Sequence, residues 1–246
     1  MGMSSFEEIL ASVDAARPTV VVHAEEPSAA VSNRLGPVAV DVEYEPVGAT
    51  AEERLAVWRD GALLAQIPLS TFLAEEPTDR VPWDPTADEA GLRAFLSTLS
   101  NVHFASLDRA RLLDVSRSIE DHAWHHESGT LHAGFQRFSN LEPAIGTYRG
   151  LANCLDLSVV VYGDDDWAVP SLDGMTVQTP VHDEIRDYWF LAYDGAGDDD
   201  HKRVLLAHEV SPGQYRGVWT TNSDVVDAVV DRLAEHYPAA ERNETA

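Results

Sequence analysis

Residues 131–136 read Leu131-His132-Ala133-Gly134-Phe135-Gln136, with Leu131, Ala133 and Phe135 alternating against His132, Gly134 and Gln136. That period of two is the pattern of a strand with one face on a core. Phe135 is expected in that core, and Gly134, having no side chain, leaves room for a ligand or another backbone. Toward the C-terminus, a helix is predicted over residues 143–153, followed by the apolar run Leu157–Gly163 and the acidic turn Asp164-Asp165-Asp166. Further strands are predicted over 176–181, 188–194, 204–210 and 215–220. The last helix, 223–237, sets Val225, Val229, Leu233 and Tyr237 at four-residue intervals. Toward the N-terminus, a helix from Ser106 to His126 places Leu112, Val115, Ile119 and Ala123 on one stripe. Together these predict an α+β domain, an antiparallel sheet flanked by helices.

A small α/β unit precedes it. Ser5 and Glu8 stand at capping-box spacing before Ile9, Leu10 and Val13. Pro18 ends that helix and a buried-type strand, 19–23, follows. Pro27 opens a second helix, and Gly36-Pro37 closes it. Val38, Val40, Val42 and Tyr44 then alternate with Asp41 and Glu43, and Asp60-Gly61 separates two short apolar runs as a hairpin turn. Residues 5–75 thus read as αβαβββ. The stretch Glu75–Pro85 is rich in prolines and charges and is a natural boundary, and a helix is expected over 86–99. The expected division is 1–80, 81–240 and a frayed tail, 241–246.

Composition narrows the function classes. The chain has 246 residues, 42 Asp+Glu against 17 Lys+Arg, a net charge of −25, and Lys202 as its only lysine. A carboxylate-crowded surface repels itself unless salt screens it, over roughly 3 Å at 1 M. The acids are spread along the chain and 44% of residues are hydrophobic, so this is a folded, salt-adapted protein rather than an acidic tail. Direct binding to nucleic acid or anionic membrane is disfavoured, since both need cations facing phosphate. No apolar stretch approaches the ~20 residues of a membrane span, and Met1–Leu10 lacks a signal-peptide pattern. A cytoplasmic location is expected. Cys154 is the only cysteine, which excludes an intrachain disulfide and a cysteine-based zinc site.

The stretch from Asp114 to about Leu233 resembles the DICT sensory domain, a family found beside diguanylate cyclases, histidine kinases and other two-component proteins. The resemblance is carried by Ser116-Arg117-Ser118-Ile119-Glu120, Ala133-Gly134-Phe135-Gln136, Tyr148 and the Val-Val-Val-Tyr-Gly run ending at Gly163, with Tyr188–Leu191 and Arg203–Glu209 in the same layout. With the acidic composition, it points to a haloarchaeal member. It implies signal input, by a small ligand or through a partner such as a kinase or transcription regulator, and no settled ligand or cofactor. No kinase, cyclase or DNA-binding output motif is present.

Within that stretch, Arg117 and Glu120 lie three apart on the helix and can pair on its surface. Alternatively, Arg117, Glu120 and Gln136 line a pocket for an anionic or polar ligand, which a guanidinium fork would suit. His122 and His126 are one turn apart, with His125 and His132 nearby, a spacing that two metal-bound imidazoles can use. Ala123 stands where a metalloprotease helix would carry glutamate, and a helix C-terminus favours histidine anyway. A metal-dependent enzyme on His122 and His126, or a ligand-free interaction adaptor, are the alternatives to a sensor. Asp164–Asp166 and Asp198–Asp200 lack the spacing of a calcium loop and are expected as solvated turns. Cys154 is expected buried on a helix face beside Leu151 and Leu155. No nucleophile elbow, phosphate loop or dinucleotide fingerprint occurs, and His182-Asp183-Glu184 resembles any polar turn, so no catalytic residue is assigned.

Overall fold

Pro18 and Asp60-Gly61 punctuate the N-terminal sheet as their chemistry requires. The computed structural model describes residues 5–15, 17–35, 40–48, 50–74, 95, 102–179 and 183–236. It divides into two units, one of 11–115 with 210–219 and one of 1–10, 116–209 and 220–246. The expected boundary at 80/81, the linker, the tail and all of the helix over 86–99 except the helical, buried Phe95 lie outside the described residues.

The first unit follows α1 (Phe6–Ala15, shared between the units), β1 (Thr19–Ala24), α2 (Ala29–Leu35), β2 (Asp41–Pro46), β3 (Arg54–Arg59), β4 (Ala62–Pro68) and α3 (Leu69–Ala74). This is the expected αβαβββ order with one more helix. The Ser5 side chain accepts the Glu8 N–H at 3.1 Å, which makes the cap. Strand order is β2-β1-β3-β4. β1 runs parallel to β2, with α2 as the crossover, and antiparallel to β3. Asp60 and Gly61 both take positive φ, 50° and 77°, the backbone of a two-residue primed turn. Val20, Val22, Leu55, Val57, Ile67 and Phe72 form the core with Phe95. β2 is an edge strand, so its alternation does not bury a face: Val42 is exposed and Tyr44 only half-buried. β5 (Val102–Asp108) pairs antiparallel with β11 (Gln214–Thr220). The helix expected from Ser106 therefore starts later, as α4 (Arg109–His126), where Asp108 accepts the Arg111 N–H at 2.9 Å.

The second unit carries the last turns of α4, then β6 (Ser128–Arg137), α5 (Ile145–Ala152), β7 (Asp156–Asp164), β8 (Met175–Gln178), α6 (Asp183–Asp187), β9 (Tyr188–Tyr193), β10 (Arg203–Ser211) and α7 (Ser223–His236). Strand order is β10-β9-β6-β7-β8. The α+β class is as expected, but the sheet is mixed rather than antiparallel. β6–β9 and β9–β10 are antiparallel, while β6–β7 and β7–β8 are parallel. The cause is α5: a chain that returns through a helix lays the next strand alongside the previous one in the same direction. Leu131, Ala133, Val159, Val161, Phe190 and Leu205 are buried in the sheet, and Ile119, Tyr148, Leu151, Val226, Val229 and Leu233 are buried on its helices. Tyr237, expected on the α7 stripe, lies outside the described residues.

Candidate functional site

The motif on α4 is spent on anchoring the helix. Ser116 is buried, and its hydroxyl accepts the indole N–H of Trp189 on β9 at 3.1 Å. One turn further, the Glu120 carboxylate accepts the Tyr148 hydroxyl of α5 at 2.9 Å. Phe135 on β6 meets the Tyr148 ring edge-on, centroids 5.2 Å apart. Glu120, Tyr148 and Phe135 thus join α4, α5 and β6 at one point. Burial raises the Glu120 pKa; the Tyr148 hydrogen bond opposes that, Asp121 adds to it and Arg117 opposes it. Tyr148 is driven well above the ordinary range by burial and then by Glu120, so its hydroxyl stays a donor.

Arg117 is exposed on α4, and its positive charge favours the ionised form of the half-buried Glu120. Gln136 takes a positive φ of 62° and donates its side-chain amide to the Asp187 carbonyl at 3.4 Å, just before β9. Phe135 is half-buried rather than a full core residue, with the Tyr148 ring of α5 as its aromatic contact. Gly134 yields its space to neither ligand nor backbone. A Cβ there would stand 2.1 Å from the Phe190 ring on β9, so the glycine makes room for that ring.

His122 and His126 are joined by a residue that spacing along one helix could not reveal. His201, in the 3-10 turn Asp199–His201, lies with its ring centroid 5.3 Å from His122 and 3.7 Å from His126. Its Nδ1 is 3.3 Å from His122 Nε2, one nitrogen donating to the other. The missed signal is His201-Lys202 closing the acidic run Asp198–Asp200. Among the described residues no three His, Cys, Asp or Glu are arranged to hold a metal ion. His132 goes elsewhere, its Nδ1 2.9 Å from the Tyr162 hydroxyl, and burial lowers its pKa to about 4. His125 donates to the Asp121 carbonyl at 2.7 Å.

The acidic turns are occupied, and they are exposed except at the half-buried Asp164. Asp166 accepts from the Ser139 main chain at 2.9 Å and its hydroxyl at 2.6 Å, and Arg186 meets Asp164 at 2.5 Å. Glu184, read from the sequence as part of a polar turn, lies in the short helix α6, holds Arg232 of α7 at 2.7 Å and also accepts the Phe6 N–H. Cys154 is half-buried in the turn after α5, which ends at Ala152, and Leu155 beside it is fully exposed; the early end of the helix removes the apolar face expected there. No described helix is long and apolar enough to cross a membrane.

None of the curated proteins compared matches this chain. A solved structure titled polyphosphate kinase from Porphyromonas gingivalis is similar at a TM-score of 0.39 and 6% identity, over 91% of this chain and 47% of that one. Residues 90–210 match the DICT family, described as a sensory domain in diguanylate cyclases and two-component systems. That match begins before the expected start at Asp114 and ends before Leu233, and it contains the α4 motif, the β6 glycine, Tyr148 and the histidine turn. Residues 90–210 of this chain therefore belong to the DICT sensory-domain family.

Proposed function

We propose that the chain is a cytoplasmic, non-catalytic signal-input protein of a two-component-like or regulatory pathway, with the end of α4 as its responsive element. The observation that carries this is the junction of Glu120, Tyr148 and Phe135, where one helix of a sensory-family segment is tied to both a neighbouring helix and a strand. A group that displaces the Tyr148 hydroxyl from Glu120 would shift α4 against β6. Arg117 at the exposed rim and Gln136 at the end of β6 are the residues we assign to an anionic or carbonyl-rich ligand, because a guanidinium and a side-chain amide offer donors at both ends of such a group. We assign the output to a partner protein, a kinase or a transcription regulator, in keeping with a sensory-domain family of two-component systems. The test is mass spectrometry of small molecules released from protein purified in molar KCl. A retained anion or carbonyl compound, lost in Arg117→Ala while circular dichroism is unchanged, is the expected result. A chain that carries none, and captures none from a metabolite extract, overturns ligand sensing.

A ligand-free adaptor is favoured by a different observation. Trp124 of α4 is 41% exposed, and Leu155 is 99% exposed. Apolar side chains left in water are candidates for a protein partner. Under that reading, Trp124→Ala rather than Arg117→Ala would abolish partner capture.

A further inference from the structure

We propose that His122, His126 and His201 form a proton-sensitive clasp between α4 and the Asp199–His201 turn, closed while His122 is neutral and opened when it takes up a proton.

The geometry builds it from two elements. His122 and His126 sit one turn apart at the end of α4, with ring centroids 5.8 Å apart, and His201 closes on both. The 3.3 Å contact between His122 and His201 needs one nitrogen with a proton and one without. When both imidazoles are cationic, all four ring nitrogens are donors, so that hydrogen bond is lost and two positive charges face each other.

The surroundings decide the sign. On β9, Tyr193 packs edge-on to His122 and His126 with centroids 5.8 and 6.3 Å away, and its hydroxyl donates to the Ser128 carbonyl at 2.8 Å. From β10, Arg203 adds a positive charge, with its guanidinium on the Asp200 and Lys202 carbonyls at 2.8 and 2.7 Å and Asp200 as the nearby negative group. The carboxylate facing the trio is Asp198, 3.9 Å from His201 Nε2 and largely exposed. Asp194 is turned away, its Oδ1 accepting the Thr130 and Ala196 N–H groups at 2.9 Å each. A protonated trio would therefore add cations beside a fixed cation, against one exposed carboxylate. Consistent with that, His122 is held down to about 4, first by burial, then by Arg203, His201 and His126. Its folded pKa lies below the ordinary 6.5, so the stability it lends is present above 6.5 and is lost as pH falls toward 4.

The turn has a second attachment, to α7. Lys202 binds Asp199 at 2.6 Å and Asp227 of α7 at 2.8 Å, and these two carboxylates raise its pKa. Acid thus frees the end of α4 while the turn stays on α7. This deepens the sensory reading by naming a proton as an input, and it rests on that reading only for its biological use.

The experiment needs no ligand, so it can fail independently of ligand sensing. Histidine-labelled protein in molar KCl is titrated by NMR, and amide exchange is measured at about pH 7 and about pH 5. The expected result is His122 titrating near 4, with protection in the last turn of α4 falling about tenfold relative to β9 between those pH values. His122→Gln, which keeps size and hydrogen bonding without a titrating proton, should remove that fall. Where His122→Gln does not fold, His201→Gln serves as the second variant. A His122 that titrates near 6.5, a uniform loss of protection, or a stoichiometric metal on the purified protein overturns the clasp.

Discussion

Glu120 is a carboxylate that the fold prefers protonated. Its folded pKa is raised, so the stability it contributes is complete below the ordinary 4.5 and is lost as pH rises through the folded value. Glu120→Gln should accordingly be at least as stable as the parent at neutral pH and flatten the pH dependence above 4.5, because the amide oxygen can still accept the Tyr148 hydroxyl. Tyr148→Phe should act oppositely, removing the Tyr148 hydroxyl donor from a half-buried carboxylate at a cost of about 1–3 kcal/mol. Urea midpoints in molar KCl across that pH range check both, and a destabilised Glu120→Gln would show that the charged form is the one the site holds. The sequence singled out Glu120 by its place in a motif, and Arg117 by spacing. It could not show that Tyr148, 28 positions away, supplies the partner, because that contact exists only once α5 has crossed over the sheet.

At the scale of elements, β6 shows what a pattern can and cannot carry. Alternation alone located the strand, and the glycine in it marked a close approach; whether ligand, backbone or side chain approaches depends on which strand lies alongside. β9 does, with Gly134 paired to Phe190, and the ring lies across the glycine. Gly134→Ala should therefore cost about 1–3 kcal/mol through overpacking, although the backbone there has an ordinary φ. Adding Phe190→Leu should recover part of that loss, a non-additivity that a double-mutant cycle in urea measures. Simple additivity would mean that the two residues do not compete for the same space. The same dependence on neighbours explains the other shortfalls. Asp60-Gly61 was legible because a two-residue turn is local. The parallel β6–β7 pairing and the β5–β11 pair were not, since pairing partners far apart in sequence leave no periodicity to read. Nor was His201, which joins His122 only through the fold and stands 79 residues from it.

The whole molecule carries a net charge of −25, and the structure shows where repulsion concentrates. β2 exposes Asp41, Glu43 and Glu45 along one edge strand. α7 exposes Asp224, Asp227, Asp231 and Glu235 at spacings of three and four, so like charges sit one turn apart, which destabilises a helix. Lys202 and Arg232 answer two carboxylates near that helix, Asp227 and Glu184. With one lysine and sixteen arginines against 42 acids, cations in solution must supply the remaining screening. The Debye length falls from about 10 Å at 0.1 M to about 3 Å at 1 M, less than a helical turn. We therefore expect the thermal midpoint to climb by about 10 °C between dilute buffer and molar KCl, a gain of a few kcal/mol for a chain of this size. Screening, rather than general strengthening of apolar burial, is the cause to isolate. Sucrose stabilises by exclusion and carries no charge, so it should not replace KCl. Replacing Asp224, Asp231 and Glu235 by their amides should reduce the salt dependence while leaving the midpoint in molar KCl near that of the parent. A midpoint indifferent to KCl, or equally raised by sucrose, would remove charge repulsion as the reason for the composition.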